Sequence, residues 1–292
     1  MTMLDDVYPP IDEVRRAVTL ALAEDIGPIG DLTGSLVPAD AVARASFIAR
    51  TGGVIAGTSC VRETCRELDA GLDLTVLVED GGPVEPGSVV ARVIGPFRSL
   101  LIAERTALNF LCHLSGVATL TRRYVEAASA VNHGARVRDT RKTTPGLRAL
   151  EKAAVRAGGG INHRASLSGG VLVKDNHLGG VSLSEAVLQA IERWPGRFIE
   201  VECDNLEQVS LAVGAGAAGV MCDNMTPEEV RQAVDIVQAH PRGRAGAVLV
   251  EASGGITLEN IAAYALAGAN LISVGAITHS APILDIGLDI EG

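Results

Sequence analysis

Between Arg136 and His177 the chain concentrates groups that bind anions. This segment holds nine basic residues (Arg136, Arg138, Arg141, Lys142, Arg148, Lys152, Arg156, Arg164, Lys174) against three acidic ones (Asp139, Glu151, Asp175), within a chain of formal net charge −10. A cationic segment in an acidic protein suits a compact anion in a concave pocket, because a cleft focuses field on a small ligand while the remainder repels polyanions. The guanidiniums of Arg141 and Arg164 offer planar forks for carboxylate or phosphate, whereas Lys142 and Lys174 act as point charges. His163, in the triplet Asn162-His163-Arg164, can bind an anion or donate a proton. Arg148, Lys152 and Arg156 recur every four residues and read equally well as one solvated helix face.

Two carboxylates, Glu202 and Asp223, end neighbouring apolar runs and would face the same pocket. Carboxylates there can hold ribose hydroxyls or a hydrated Mg²⁺ on a diphosphate, and can stabilise a cationic sugar carbon. The alternative is that each pairs structurally with a pocket cation. Ser253-Gly254-Gly255 and Gly275 close two more runs, and such turns bind phosphate through backbone N–H groups that glycine leaves accessible. Arg105 shares a helix face with Asn109 and by itself reads as a solvated arginine.

The elements that must position these groups follow from periodicity. The runs ARVRDTRK, GGVLVKDNH, RFIEVECDN, AAGVMCDNM, AGAVLVEASGG and ANLISVGAIT reach polar ends at Arg141, Lys174, Glu202, Asp223, Ser253 and Gly275, spaced by 33, 28, 21, 30 and 22 residues. That rhythm fits a strand, a helix and two loops, repeated, and predicts an α/β fold with parallel strands in a (β/α) barrel. No G-x-G-x-x-G follows an early strand, which argues against a dinucleotide-binding sheet. In a barrel the ligand sits at the carboxyl ends of the strands, where these polar groups fall. Upstream, residues 11–24 have helical spacing, and SFIARTGGVIAG and LTVLVEDGGPVEPGSVVARVIG read as strands with glycine turns. A helix is expected from a cap at Ser99 to a stop at Gly116.

The composition excludes several classes. With 47% hydrophobic and 21% charged residues the chain is an ordinary globular one. No apolar run is long enough to span a bilayer, and the acidic start MTMLDDVYPPIDEV is unlike a signal peptide, so a cytoplasmic protein without membrane partners is expected. The net negative charge argues against nucleic acid. Five cysteines without a C-x-x-C pair indicate buried free thiols rather than disulfides or zinc.

The stretches EDIGPIGDLTG, AERTALNFLCHLSGVATLT, VRDTRKTTPGLRALEKAAVRAGGGINHR, VLVKDNHL, DNM, EASGGITLENI and ISVGAITHSAPILDIGLDI resemble the quinolinate phosphoribosyltransferase family, also called nicotinate-nucleotide pyrophosphorylase (carboxylating). The resemblance covers nearly the whole chain. It implies a type II phosphoribosyltransferase: an N-terminal α/β sandwich domain over residues 1–117, joined by the tail 280–292, and an incomplete (β/α) barrel over 118–279. It further implies a homodimer with shared active sites, or a hexamer built from such dimers. By the resemblance Arg105 (reaching across the dimer), Arg141, His163 and Arg164 bind quinolinate. Lys142 and Lys174 lie where the two substrates meet, Glu202 and Asp223 lie near the ribose and the metal-diphosphate, and Ser253, Gly254, Gly255 and Gly275 bind phosphate. Lys142, Lys174, Glu202 and Asp223 would be the catalytic groups. The implied reaction joins quinolinate to phosphoribosyl diphosphate, giving nicotinate mononucleotide, carbon dioxide and diphosphate in de novo NAD biosynthesis. Mg²⁺ would arrive on the diphosphate, with no direct metal ligand from the protein and no organic cofactor. Two departures stand out: Ala165–Gly170 (ASLSGG) lacks an aspartate usual before the VLVK strand, and Ala154 replaces a common aromatic. The residues alone also allow a lyase forming a Schiff base at Lys174, or a non-catalytic anion carrier. A divergent relative associated with molybdenum transport shares the fold.

Overall fold

The computed structural model describes residues 7–244 and 248–291. The first six residues of the acidic start, Ala245–Ala247 of the AGAVLVEASGG run and the last residue of the tail lie outside them. The chain forms two compact units, one of residues 1–122, 142–160 and 277–292, the other of residues 123–141 and 161–276.

In the first unit α1 (Ile11–Ile26) is followed by β1 (Val42–Ala49), β2 (Gly53–Val54), α2 (Thr58–Leu68), β3 (Asp73–Val76), β4 (Pro83–Val84), β5 (Val89–Pro96) and the long α3 (Phe97–Ser129), whose last turns enter the second unit. α4 (Arg148–Ala157) and the final strand, β12 (Ile286–Glu291), complete it. Four strands make an antiparallel sheet in the order β12-β1-β5-β3, and β2 pairs with β4. The tail thus closes the sheet edge, with Ala49 opposite Ile286 and Arg44 opposite Glu291. Phe47, Ile55, Leu100 and Leu111 are fully buried in the core of this unit. Gly57 at the start of α2 has no capping side chain, and the buried Asp80 carboxylate supplies the cap by accepting from the Gly57 and Thr58 N–H groups and the Thr58 hydroxyl.

Gly116 does not end α3, and Ser99 does not cap it. The helix runs straight through the glycine, whose role is proximity: a Cβ there would stand 2.1 Å from the Pro282 carbonyl oxygen. Glycine lets the returning chain cross the helix at backbone distance. Ser99 lies inside the first turn and donates its hydroxyl to Asp69. α4 also departs from a solvated basic face, because Lys152 is 3% exposed.

The second unit contains β6 (Arg136–Arg138), β7 (Val171–Val173), α5 (Leu183–Arg193), β8 (Ile199–Cys203), α6 (Leu206–Ala215), β9 (Gly219–Asp223), α7 (Pro227–Ala239), α8 (Pro241–Arg244), β10 (Leu249–Ser253), α9 (Ile261–Leu266), β11 (Leu271–Ser273) and the start of α10 (Ala276–His279). Its six strands form one parallel sheet in the order β6-β11-β10-β9-β8-β7, so the barrel is incomplete, with β6 and β7 at its edges. Val137, Val173, Val201, Val220, Val250 and Ile272 are buried, as strands covered on both faces require. Ser182, Asn205 and Thr226 turn the chain into α5, α6 and α7 by accepting from backbone N–H groups three residues on. These caps fix where the three helices begin. All five cysteines are buried and free.

Candidate active site

In the second unit the strand ends converge on one chemical character. Lys174 follows β7, and its Nζ pairs with the Glu202 carboxylate on β8. Glu202 is opposite Met221 on β9, so Asp223, two residues further along β9, shares its face of the sheet. Ser253 on β10 is directly opposite Asp223 on one side and Ser273 of β11 on the other. The turn Ser253-Gly254-Gly255 packs on the loop after β9, where the Asn224 N–H donates to the Ser253 carbonyl at 2.8 Å and the Asn224 amide to Asp223 at 2.8 Å. Gly254 has φ +91, and a Cβ on it would lie 2.2 Å from the Asn224 side-chain oxygen, so no larger residue fits without displacing that loop. Gly275 follows β11 by two residues and completes the glycine turns.

The cations gather on the β6 side. Ile161 bridges Arg138 in parallel, extending the sheet by one residue and launching the Asn162-His163-Arg164 segment. Asp139, fully buried, fixes that segment by accepting from the Asn162 amide at 2.6 Å and the His163 N–H at 2.8 Å. His163 Nδ1 accepts the Arg164 N–H at 2.7 Å, which places the ring proton on Nε2, 3.3 Å from Glu200. Arg164 donates from Nη1 to the Gly170 carbonyl at 3.0 Å, and partial burial followed by repulsion from Arg141 lowers its pKa. An anion bound between like charges relieves such repulsion.

Lys142 and Arg105 belong to the first unit. The Lys142 carbonyl accepts the Thr278 hydroxyl at 2.8 Å, and the turn beyond it is held by buried Glu151, which takes the Thr144 N–H at 3.1 Å and His113 Nε2 at 2.9 Å. Arg105 is an exposed residue of α3. The residues that the sequence nominated in the second unit are therefore Arg141, His163, Arg164, Lys174, Glu202, Asp223, Ser253, Gly254, Gly255 and Gly275, all at or just beyond strand ends.

Sequence reasoning missed a second polar layer beneath them. Arg138 Nη1 bonds Glu251 and lies 3.6 Å from Glu200; the Ser273 hydroxyl donates to Glu251 at 2.5 Å. Glu200 and Glu251 are 2% and 0% exposed. Burial raises the Glu200 pKa against the pull of Arg138, and burial with the charge of Glu200 pushes Glu251 up to about 7. His163, Glu200 and Glu251 offer ligand atoms within 4.8 Å, but the cation among them is the Arg138 guanidinium. The available signal was alternation. IEVEC and LVEAS put Glu200 with Glu202, and Glu251 with Ser253, on one face, and a charge in the middle of a buried strand is rare without a partner.

A parallel, incomplete barrel with a lysine–carboxylate pair, neighbouring guanidiniums and glycine turns at its strand ends has the chemistry to bind anionic and phosphorylated ligands. Models of the quinolinate phosphoribosyl transferase N-terminal and C-terminal domains match residues 31–115 and 117–289. A nicotinate-nucleotide pyrophosphorylase [carboxylating] of Mycobacterium leprae is 41% identical over 96% of this chain and 98% of its own length. Quinolinate phosphoribosyltransferase [decarboxylating] 1b of Nicotiana tabacum is 36% identical over 97% of this chain and 83% of its own. The solved nicotinate-nucleotide pyrophosphorylase of Francisella tularensis superposes with a TM-score of 0.90 at 37% identity, covering 98% of this chain and 99% of that one. The chain belongs to the quinolinate phosphoribosyl transferase family. Among the described residues no helix is long and apolar enough to cross a membrane.

Proposed function

We propose that the protein transfers the phosphoribosyl group of phosphoribosyl diphosphate to quinolinate with loss of carbon dioxide, giving nicotinate mononucleotide and diphosphate, the de novo step of NAD synthesis. The observation that carries this reading is the division of the strand ends into a cationic side around Arg141, His163 and Arg164 and a side built of Glu202, Asp223 and the Gly254 turn. The cations suit the two carboxylates of quinolinate, and the glycine turn suits the 5-phosphate. Glu202 and Asp223 suit the ribose hydroxyls and the positive charge that develops on C1 as the bond to diphosphate breaks. The ring nitrogen then forms the bond to C1, and the diphosphate oxygen leaves with the electron pair. The nitrogen, now positive, stabilises the ring carbanion left when the 2-carboxylate departs as carbon dioxide, and a proton replaces it.

Mg²⁺ enters as part of the diphosphate substrate, and no organic cofactor is needed. Lys174 neutralises charge where the substrates meet. Lys174 Nζ is engaged by Glu202, which argues against a lyase that needs this amine as a free nucleophile. Arg105, exposed on α3, completes the quinolinate site of a second subunit in a homodimer working in the cytoplasm. The test is turnover of quinolinate and of nicotinate with phosphoribosyl diphosphate and Mg²⁺. Quinolinate should react and nicotinate should be at least a hundredfold poorer; equal turnover, or none with quinolinate, contradicts the reading.

A further inference from the structure

The layer under the cations has no part in the mechanism above, and its composition calls for one. Four polar groups meet inside the barrel from four separate places: Arg138 on β6, Glu200 on β8, Glu251 on β10 and Ser273 on β11, with His163 directly above Glu200. Two carboxylates against one guanidinium would leave a net buried negative charge, which desolvation opposes strongly. One proton removes it. His163 cannot supply that proton while remaining neutral, since its Nδ1 accepts from the Arg164 N–H and its Nε2 proton points at Glu200. His163 thus adds no positive charge, and with Arg138 and Ser273 donating to the two Glu251 oxygens the proton belongs to the pair of carboxyls, Glu200 and Glu251.

We propose that Glu251 is a positioning residue for the anion site: it shares one proton with Glu200, and this proton keeps the layer neutral so that His163 and Arg164 serve the ligand. When the proton is lost the layer becomes negative. It then opposes the carboxylates of a ligand bound above it and draws the fields of His163 and Arg164 inward. Among the described residues the groups facing Glu251 are Arg138, Glu200, Cys222 on β9, Ser273 and His163, and those facing its proton partner Glu200 also include Arg164 and Glu202. Burial holds the Cys222 thiol up near 12, so it does not titrate where Glu251 does. Burial and Glu200 push Glu251 itself up to about 7, which puts the loss of the proton in the neutral range.

The identity of the ligand rests on the functional reading above, so two measurements are combined. In the first, infrared difference spectra of the wild-type protein are taken between about pH 6 and pH 8.5. A protonated buried carboxyl should give a carbonyl band that disappears on going to the higher pH, and Glu251→Gln should lack that band. In the second, quinolinate affinity is measured by calorimetry over the same range. A unit charge a few ångströms beneath the site is worth about tenfold or more in binding at an effective dielectric near 20. Wild type should therefore weaken roughly tenfold from the lower to the higher pH. Glu251→Gln, which imitates the protonated acid in shape and charge, should bind at both pH values as wild type does at the lower one. A wild-type spectrum with no titrating carboxyl band overturns the proposal even if the variant fails to fold, and so does an unchanged pH dependence of affinity in a folded Glu251→Gln. Absence of quinolinate turnover in wild type would instead count against the functional reading, while the infrared band still judges the proton.

Discussion

Replacing Gly254 by alanine isolates the phosphate turn. The residue has φ +91, where an L side chain costs about 1–2 kcal/mol. Its Cβ would also fall 2.2 Å from the Asn224 side-chain oxygen and 2.9 Å from the Asn224 backbone nitrogen. Relieving that overlap costs a further ~1–3 kcal/mol in a packed site. Gly255 is the control within the same turn: its φ is +62, but nothing lies within 4 Å of a built Cβ, so only the conformational cost applies. Gly254→Ala should therefore be less stable than Gly255→Ala by about 1–3 kcal/mol, a difference of several degrees in melting temperature for a chain of this size. Asn224 must move, and because its amide holds Asp223 and its N–H holds the Ser253 carbonyl, the sugar-phosphate side moves with it. The KM for phosphoribosyl diphosphate should rise roughly tenfold in Gly254→Ala, with quinolinate affinity nearly unchanged. Thermal unfolding and steady-state kinetics on both variants check this. If the two variants match each other in melting temperature and in KM, the close approach at Gly254 does not shape the phosphate site.

Lys174→Ala should lower kcat/KM by about a hundredfold or more, while stability stays within about 1 kcal/mol, because its pair with Glu202 is partly open to solvent. Steady-state kinetics and denaturant titration separate the two effects. The raised pKa of Glu251 fixes the sign of a stability effect. The native state retains a proton that the unfolded chain gives up near 4.5, so this group's contribution is complete below about 4.5 and is lost as pH rises to about 7. Stability of wild type relative to Glu251→Gln should therefore fall across that window and level off above it, as read by denaturant unfolding at a series of pH values. Arg105→Ala and Lys142→Ala, each inactive, should regain activity when mixed under conditions of subunit exchange, since one of the mixed sites has both groups; proven exchange with no recovery would place Arg105 outside a shared site.

The barrel was legible because each strand is a short apolar run with a polar end, and that pattern survives without any tertiary information. Lys174, Glu202, Asp223 and Ser253 were readable for the same reason: they stand at the points where hydrophobicity stops. Gly116 misled because a helical glycine and a helix-stopping glycine look alike in one sequence. Only the crossing of Pro282 over α3 tells them apart. Lys152 misled in the same way, since helical spacing gives a face and not the side on which solvent lies. Asp139 was read only as one of three acids in the basic segment, and Glu200 and Glu251 were passed over because they sit within apolar runs, before the polar ends, although that placement is what makes a buried charge costly and therefore informative. Strand alternation assigns Glu200 and Glu251 to the interior, but their partners Arg138 and His163 come from distant segments and are visible only in three dimensions.

The most direct measurement uses quinolinate carrying an isotopic label in its 2-carboxylate. With phosphoribosyl diphosphate and Mg²⁺ present, the protein should release labelled carbon dioxide in one-to-one proportion with mononucleotide and with diphosphate, and release should stop when phosphoribosyl diphosphate is omitted. Release of label without phosphoribosyl diphosphate, or formation of a mononucleotide that keeps the label, would contradict a site in which bonding of the ring nitrogen to C1 drives the loss of the carboxylate.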